Sequence, residues 1–215
     1  MNSPFDASFW NSRYGATGER YVYGTAPNEF LAAVAGRIPP GPVLCLAEGE
    51  GRNAVHLARL GHAVTAVDQS AVGLAKARAL ARRQRVELNI VVADLADFAI
   101  GNNAWAGIVA IFMHLPPALR AVVLARAVAG LRSGGLLVLE CYSPAQLAFN
   151  TGGPRDPALL PTLAGLRAEL TGLEFLHGQE LERDILEGDG HTGRGAVVQV
   201  IGRRPPASKS LEQLA

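Results

Sequence analysis

Five short apolar runs alternate along the chain with stretches whose apolar residues recur at helical spacing, and no other feature constrains the fold as strongly. The runs cover residues 43–46, 63–67, 88–92, 108–112 and 136–139. They are too short for helices and nearly continuous in apolarity, which is the pattern of strands buried on both faces. Between them, residues 52–60, 71–83 and 117–131 carry the helical period. Alternation of this kind implies a parallel sheet with helices on both faces, joined by right-handed crossovers.

The ends depart from that rhythm. Residues 30–38 read as a helix ahead of the first strand. After the fifth strand come a Gly/Pro loop (150–157), a helix over 158–170, and two long strands, 173–186 and 196–201. Only a glycine-rich turn, 187–195, joins these strands, and it has no room for a crossover helix, so they form an antiparallel hairpin. The expected fold is α/β, a doubly wound, mostly parallel seven-stranded sheet ending in an antiparallel hairpin. It forms one domain over residues 1–204, with an aromatic N-terminal segment (1–28) and a polar tail (205–215).

Composition narrows the function classes. The 215 residues carry a net charge of +1, with 49% hydrophobic and 18% charged residues. The chain is too apolar for disorder and too neutral to coat nucleic acid or an anionic membrane by bulk electrostatics. No apolar run approaches the ~20 residues of a membrane span. The start lacks a signal-peptide pattern, and the two cysteines, Cys45 and Cys141, sit in apolar runs, so a reduced cytoplasmic setting is expected. The cations are split unevenly: only Lys76 and Lys209 are lysines, and the rest are arginines.

The chemistry concentrates where the first strand runs into Gly49-x-Gly51 and a helix follows at once. Glycines there allow a tight turn and close approach of a ligand to main-chain N–H groups at a helix start. Asp68 ends the second strand, where an acid can accept hydrogen bonds from both hydroxyls of an adenosine ribose. Gly49-x-Gly51-x-x-Ala54 also fits the dinucleotide fingerprint, which keeps an NAD(P)-binding oxidoreductase as an alternative. Against it stand Asp94 at the end of the third strand, the turn at 131–135 before the fifth, and the terminal hairpin.

Taken with Glu48-Gly-Glu-Gly-Arg-Asn53, Val67-Asp68, Ala93-Asp94, His114-Leu-Pro116 and Leu131-Arg-Ser-Gly-Gly135, the chain from Phe9 to Arg204 resembles a class I S-adenosylmethionine (SAM)-dependent methyltransferase. It is similar to the tellurite-resistance/thiopurine methyltransferase-like branch, and the sheet is then Rossmann-like. The resemblance implies SAM as cofactor, S-adenosylhomocysteine (SAH) as product and a small-molecule acceptor, such as a thiol or chalcogen. It implies that Gly49 and Gly51 wrap the methionine half, with Asn53 a further cofactor-binding residue. Asp68 holds the ribose hydroxyls with Gln69 beside it, Asp94 and the Leu95 amide read adenine, and Ile111 and Phe112 line the sulfonium side. Cys45 and Ala47 stand where the family usually has an acid and a glycine. Glu48 then supplies the acid one step displaced, facing the methionine ammonium. These departures keep a catalytically silent SAM-binding module as a further alternative.

In the resembled family the N-terminal segment is a lid, which makes Trp10, Tyr14 and Tyr23 candidates for contact with SAM or acceptor. A sulfonium gains cation–π attraction from such rings, and a lid excludes water. No histidines stand at metal-ligand spacing, and there is no Gly-x-Ser-x-Gly and no phosphate loop, so no metal is expected. His114 follows the fourth strand at the mouth where the methyl group should lie and is a candidate catalytic residue, a loop or helix-capping role before Pro116-Pro117 being its alternative. His191 and Arg194, in the glycine-rich turn, are by the resemblance the acceptor-side pair: a base for a hydroxyl, amine or thiol, and a cation for an oxyanion. The basic clusters at 82–85 and 203–204 are too small for a phosphate-tracking surface, so no nucleic-acid or membrane partner is expected.

Overall fold

The computed structural model describes residues 6–206. Residues 1–5 of the expected N-terminal lid and 207–215 of the expected tail lie outside the described residues. Two helices come first, α1 (Ala7–Gly15) and α2 (Glu29–Val34), followed by β1 (Pro42–Leu46), α3 (Arg52–Arg59), β2 (Ala63–Asp68) and α4 (Ala71–Arg83). Then come β3 (Asn89–Val92), β4 (Trp105–Ile111), α5 (Pro117–Gly130), β5 (Leu131–Tyr142), α6 (Leu163–Glu169), β6 (Glu174–Glu187) and β7 (His191–Arg203). The seven strands form one sheet in the order β3-β2-β1-β4-β5-β7-β6. The first five are parallel, and β7 runs antiparallel between β5 and β6. The expected doubly wound sheet with a terminal antiparallel hairpin is the fold observed.

Strand alternation divides the core between the two faces. Leu44 and Leu46 of β1, Ile108 of β4 and Leu137 and Leu139 of β5 pack with α5 and α6. Val43 and Cys45, with Val109 and Val138, pack on the other face with α2, α3 and α4. Among the described residues no helix is long and apolar enough to cross a membrane. The edge strand β6 breaks the apolar pattern with exposed Glu180, Glu182 and Asp184, charges that oppose edge-to-edge pairing.

Three local expectations are corrected. The helix over 158–170 is a 3-10 turn (Pro157–Leu159) followed by α6. Pro161 cannot donate its backbone nitrogen, and the Thr162 side chain restarts the helix by accepting from Gly165 N at 3.0 Å. The turn at 131–135 is taken into β5, where Leu131 pairs with Trp105 beside a register shift. The long turn at 187–195 shrinks to residues 188–190, because β6 reaches Glu187 and β7 begins at His191. Gly188 and Gly190 shape this short turn: a Cβ on either would collide with the segment 22–24. Gly190 N donates to Val22 O at 3.0 Å, so hairpin and N-terminal segment meet backbone to backbone.

A buried polar network lies on the α2/α3 face. Glu140 of β5 is fully buried. It accepts from Asn28 Nδ2 (2.7 Å), from Arg183 Nη2 (2.6 Å) and Nε (3.2 Å), and from Gln199 Nε2. Glu187 accepts from Asn28 Nδ2 (2.8 Å), Arg183 Nη2 (3.1 Å) and Arg52 Nη2. Two carboxylates and two guanidiniums balance. Asn28 also caps α2, its Oδ1 accepting from Leu31 N at 2.9 Å.

The β1–α3 turn uses its second glycine for packing. Gly51 has φ +90°, and a Cβ there would lie 2.5 Å from Ala77 Cβ and 2.7 Å from Ala77 Cα on α4. Gly51→Ala therefore combines left-handed strain with overpacking, an expected loss of about 2–4 kcal/mol. Urea unfolding of the ligand-free protein measures it; undiminished stability would show that this glycine is kept for ligand approach alone.

Candidate active site

A cavity of about 300 Å³ opens beyond the carboxyl ends of β1, β2 and β4, where open α/β sheets bind ligands. Its lining includes thirteen of the residues expected at the site: Trp10, Tyr14, Tyr23, Glu48, Asn53, Asp68, Gln69, Asp94, Leu95, Ile111, Phe112, His114 and His191. Gly49 and Gly51 form the turn behind it and do not line it. Arg194 does not line it either.

The reason for the absence of Arg194 is strand parity. His191 and Arg194 lie in β7 rather than in a turn, and residues three apart on a strand point to opposite faces. His191 is buried and faces the cavity. Arg194 is exposed and pairs with Glu182 (3.4 Å) and Asp184 (3.9 Å) on β6. The expected acceptor-side pair is not brought together.

On the β1–β2 side, Asp68 is buried at the end of its strand. Its Oδ2 accepts from Gly49 N (2.9 Å) and its Oδ1 from Ser70 N (2.7 Å). Burial raises its pKa against those two N–H groups. Each oxygen keeps a second lone pair for a ligand hydroxyl. Asp94 is exposed to the cavity mouth and turns the chain by accepting from Ala96 N at 2.8 Å. Glu48 is half-buried, and its Oε1 accepts from Asn53 N (3.1 Å) and Ala54 N (2.8 Å) at the start of α3. Asn53 turns its Oδ1 to Asn28 N at 2.9 Å.

The N-terminal segment covers the cavity, and one of the two lysines fastens it. Lys76 of α4 places Nζ 2.7 Å from Tyr14 O, 2.8 Å from Thr17 Oγ1, 2.7 Å from Arg20 O and 2.8 Å from Glu50 Oε1. Glu50 in turn accepts from Val22 N at 2.8 Å. A compact ammonium converges on several oxygens where a planar guanidinium would not. So anchored, Tyr14 wedges between Gly49 and Gly73, whose missing side chains make its slot. Trp10 stacks on Tyr14 (5.5 Å), and Tyr23 packs on His191 (4.4 Å) and receives Arg13 Nε at its hydroxyl (3.1 Å).

The far end of the cavity is aromatic. His191 lies 4.4 Å from Phe112 and 5.3 Å from Tyr142, and His114 stacks on Tyr142 at 5.8 Å (ring centroids). The segment 152–154 covers this end, Gly153 lying flat on the Tyr142 ring. Burial pushes the pKa of His114 down to about 4, partly opposed by its Nδ1 contact with Leu159 O at 3.2 Å. Burial also lowers that of His191, against the raising effect of Glu187. Both rings are thus uncharged near neutral pH. Tyr142, Glu187 and Lys76 belong to or support the cavity wall and carry no mark in the motifs, whereas Arg52 stands within Glu48-Gly-Glu-Gly-Arg-Asn53. A charge inside the apolar run 136–142 was the one available sign of the network behind them.

Residues 43–135 match a protein-family profile described as a methyltransferase domain. No curated protein matches the sequence. Among solved structures, the chain is similar to a protein studied for conversion of a disulfide bond into a thioacetal group during echinomycin biosynthesis. The identity is 22%, over 97% of this chain and 96% of that one, with TM-score 0.73. It is also similar to TehB from Haemophilus influenzae (19%, 91% and 67%, TM-score 0.70). A third is magnesium protoporphyrin IX methyltransferase ChlM from Synechocystis PCC 6803, solved with bound SAH (17%, 92% and 97%, TM-score 0.67). These structures share the fold of this chain.

Glu48 offers a test of the site's electrostatics. Burial raises its pKa from 4.5 to about 7, against the Ala54 N–H and the Arg52 charge. Between those values the folded chain holds a proton that the unfolded chain has released, so this group's contribution to stability falls as pH rises through that window. Glu48→Gln keeps an acceptor for the helix start and does not titrate. Its melting temperature relative to the parent should therefore climb between pH 5 and pH 8, and a constant difference would contradict the raised pKa.

Proposed function

We propose that the chain is a SAM-dependent methyltransferase acting on a small-molecule acceptor and releasing SAH, an activity of the EC 2.1.1 class. One observation carries the reading. Glu48 and Asn53 on either side of the glycine turn, Asp68 at the end of β2 and Asp94 after β3 line the same cavity that ends at Phe112, His114 and His191. That is a nucleoside-binding half joined to a second chamber. The cavity sits at the small end of the usual ligand-pocket range.

The residues present fit SAM. Asp68 has free lone pairs for the ribose hydroxyls, with Gln69 beside it. Asp94 and Leu95 border the adenine side, and Glu48, Asn53 and Arg52 border the methionine side. Ile111 and Phe112 line the reacting centre, and Trp10, Tyr14 and Tyr23 exclude water and offer ring faces to a sulfonium. SAM, when bound, supplies a methyl group already activated on sulfur. The protein's task is then to align donor and acceptor. His114 and His191 border the acceptor chamber, with His191 as the base where the acceptor carries a proton. An NAD(P) reading is less well supported: Tyr14 fills the space over Gly49 that a diphosphate approaching that turn needs.

The tellurite-resistance-like branch and a cytoplasmic setting remain parts of this proposal. They rest on the motif resemblance and on two free, buried cysteines. Arg194 pairs with Glu182 and Asp184 outside the cavity, so it is not the cation that would hold an oxyanion acceptor.

Calorimetry tests the proposal. SAM should bind, NAD should give no heat, and Asp68→Ala should weaken SAM by at least about tenfold, the equivalent of one charge-assisted hydrogen bond. Equal affinity in a folded Asp68→Ala protein would reject the assignment.

A further inference from the structure

Four of the enclosed side-chain polar atoms without a hydrogen-bond partner converge on one place: Arg52 Nη1, His114 Nε2, Tyr142 Oη and His191 Nδ1. His191 is the centre of this group, in ring contact with Tyr23, Phe112 and Tyr142. Its Nδ1 faces Glu187 Oε2 at 3.9 Å, an ion-pair distance that is too long for a hydrogen bond. The same Glu187 oxygen accepts from Arg52 Nη2. Glu187 is held from behind by Asn28 and Arg183 and is itself buried.

We propose that Glu187 is the positioning residue for His191, and that the pair takes a proton from an acceptor that enters uncharged, as a hydroxyl, amine or thiol, rather than as an oxyanion. This inference rests on the methyltransferase reading. A buried ring nitrogen facing a carboxylate carries its proton there, and the second nitrogen is left bare. Nδ1 is the enclosed nitrogen of His191, so Nε2 is the one available to the cavity. Closure of the 3.9 Å gap by about 1 Å makes the hydrogen bond that fixes this tautomer.

In the reaction, the acceptor's proton passes to His191 Nε2 while the acceptor's lone pair forms the bond to the methyl carbon. The carbon–sulfur bond breaks, and its electrons remain on the sulfur of SAH. The proton then leaves to solvent, and no further reactant is required.

The charges around His191 favour this role. Glu187 approaches from β6, Arg52 from α3, Arg13 from α1 and His114 from the segment after β4. Glu187 stabilises the imidazolium form, whereas the two arginines and burial oppose it, so the ring is neutral before reaction and gains its charge only on taking the proton. Glu187 remains ionised: burial raises its pKa, but His191, Arg52 and Arg183 together bring it down to about 2. Among the described residues the cavity lining holds two cations, Arg13 and Arg52: Arg13 Nε donates to Tyr23, Arg52 Nη2 donates to Glu187 and leaves its Nη1 unpartnered, and the lining acids Glu48, Glu50, Asp68 and Asp94 outnumber the two arginines.

The experiment uses the full chain with SAH bound and ¹⁵N-labelled histidine. His191, assigned by comparison with His191→Gln, should show a protonated Nδ1 and a bare Nε2 near neutral pH. Glu187→Gln should redistribute the proton between the two nitrogens. His191→Gln should lower kcat by about 100-fold with SAM affinity within about twofold. SAH release should be faster with catechol or benzyl mercaptan than with selenite or tellurite. A His191 ring protonated at Nε2 in the unaltered protein overturns the proposal, whether or not Glu187→Gln folds. Faster turnover of the oxyanions overturns it too. If SAM itself does not bind, the methyltransferase reading fails first, an outcome distinct from either of these.

Discussion

The cavity depends on the buried pairing of Glu140 and Glu187 with Arg183 and Arg52. Removing any one partner would leave a charge in the interior, which costs about 3–5 kcal/mol. The pairing therefore holds as a unit or not at all. Its members come from α3, β5 and β6, and Asn28 adds the start of α2 by donating to both carboxylates. A single network thus fixes the helix that follows the β1–α3 glycine turn relative to the hairpin that carries His191. Hydrophobic packing aligns the sheet, but packing alone is tolerant of small shifts; hydrogen-bonded charges are not.

The lid is held by a different device, placed at the opposite wall. Lys76 gathers two backbone carbonyls, a hydroxyl and a carboxylate from the segment 14–50. With Tyr14 in its slot between two glycines and the hairpin turn docked on Val22, the N-terminal segment touches both α4 and β7. The N-terminal segment and the β7 wall of the cavity are therefore mechanically one surface. Tyr23 makes the link explicit, since its ring contacts His191 while its hydroxyl receives Arg13. In a chain whose other cations in the described residues are all arginines, the single lysine stands where convergence of oxygens requires a point charge.

The sheet, its order of winding and the acids at its strand ends were legible because each leaves a local mark. Asp68 follows an apolar run, Asp94 follows another, and the glycines interrupt a third. What local pattern does not carry is pairing across distance. Glu187 reads as a turn residue, and Lys76 as one more exposed helix cation. Tyr142 reads as the last residue of an apolar strand. Their roles exist only once β6, β7 and α4 are side by side. Gly51 was legible as a required glycine, but its reason lies in Ala77, a residue on another helix.

Arg194 shows how a small error in element boundaries becomes an error in chemistry. With a long flexible turn at 187–195, two residues three apart can reach the same point. Once β7 begins at His191, the pleat assigns them to opposite faces, and no side-chain rotation across the strand reverses that. The same parity that removes Arg194 adds other groups. Arg183 and Glu187 share one face of β6, as His191 and Gln199 share one face of β7, and together they form the wall between network and cavity. Six residues of strand, gained from a turn, thus replace an exposed cation with a buried carboxylate as the neighbour of His191. That exchange places an acid, not a cation, beside the His191 ring.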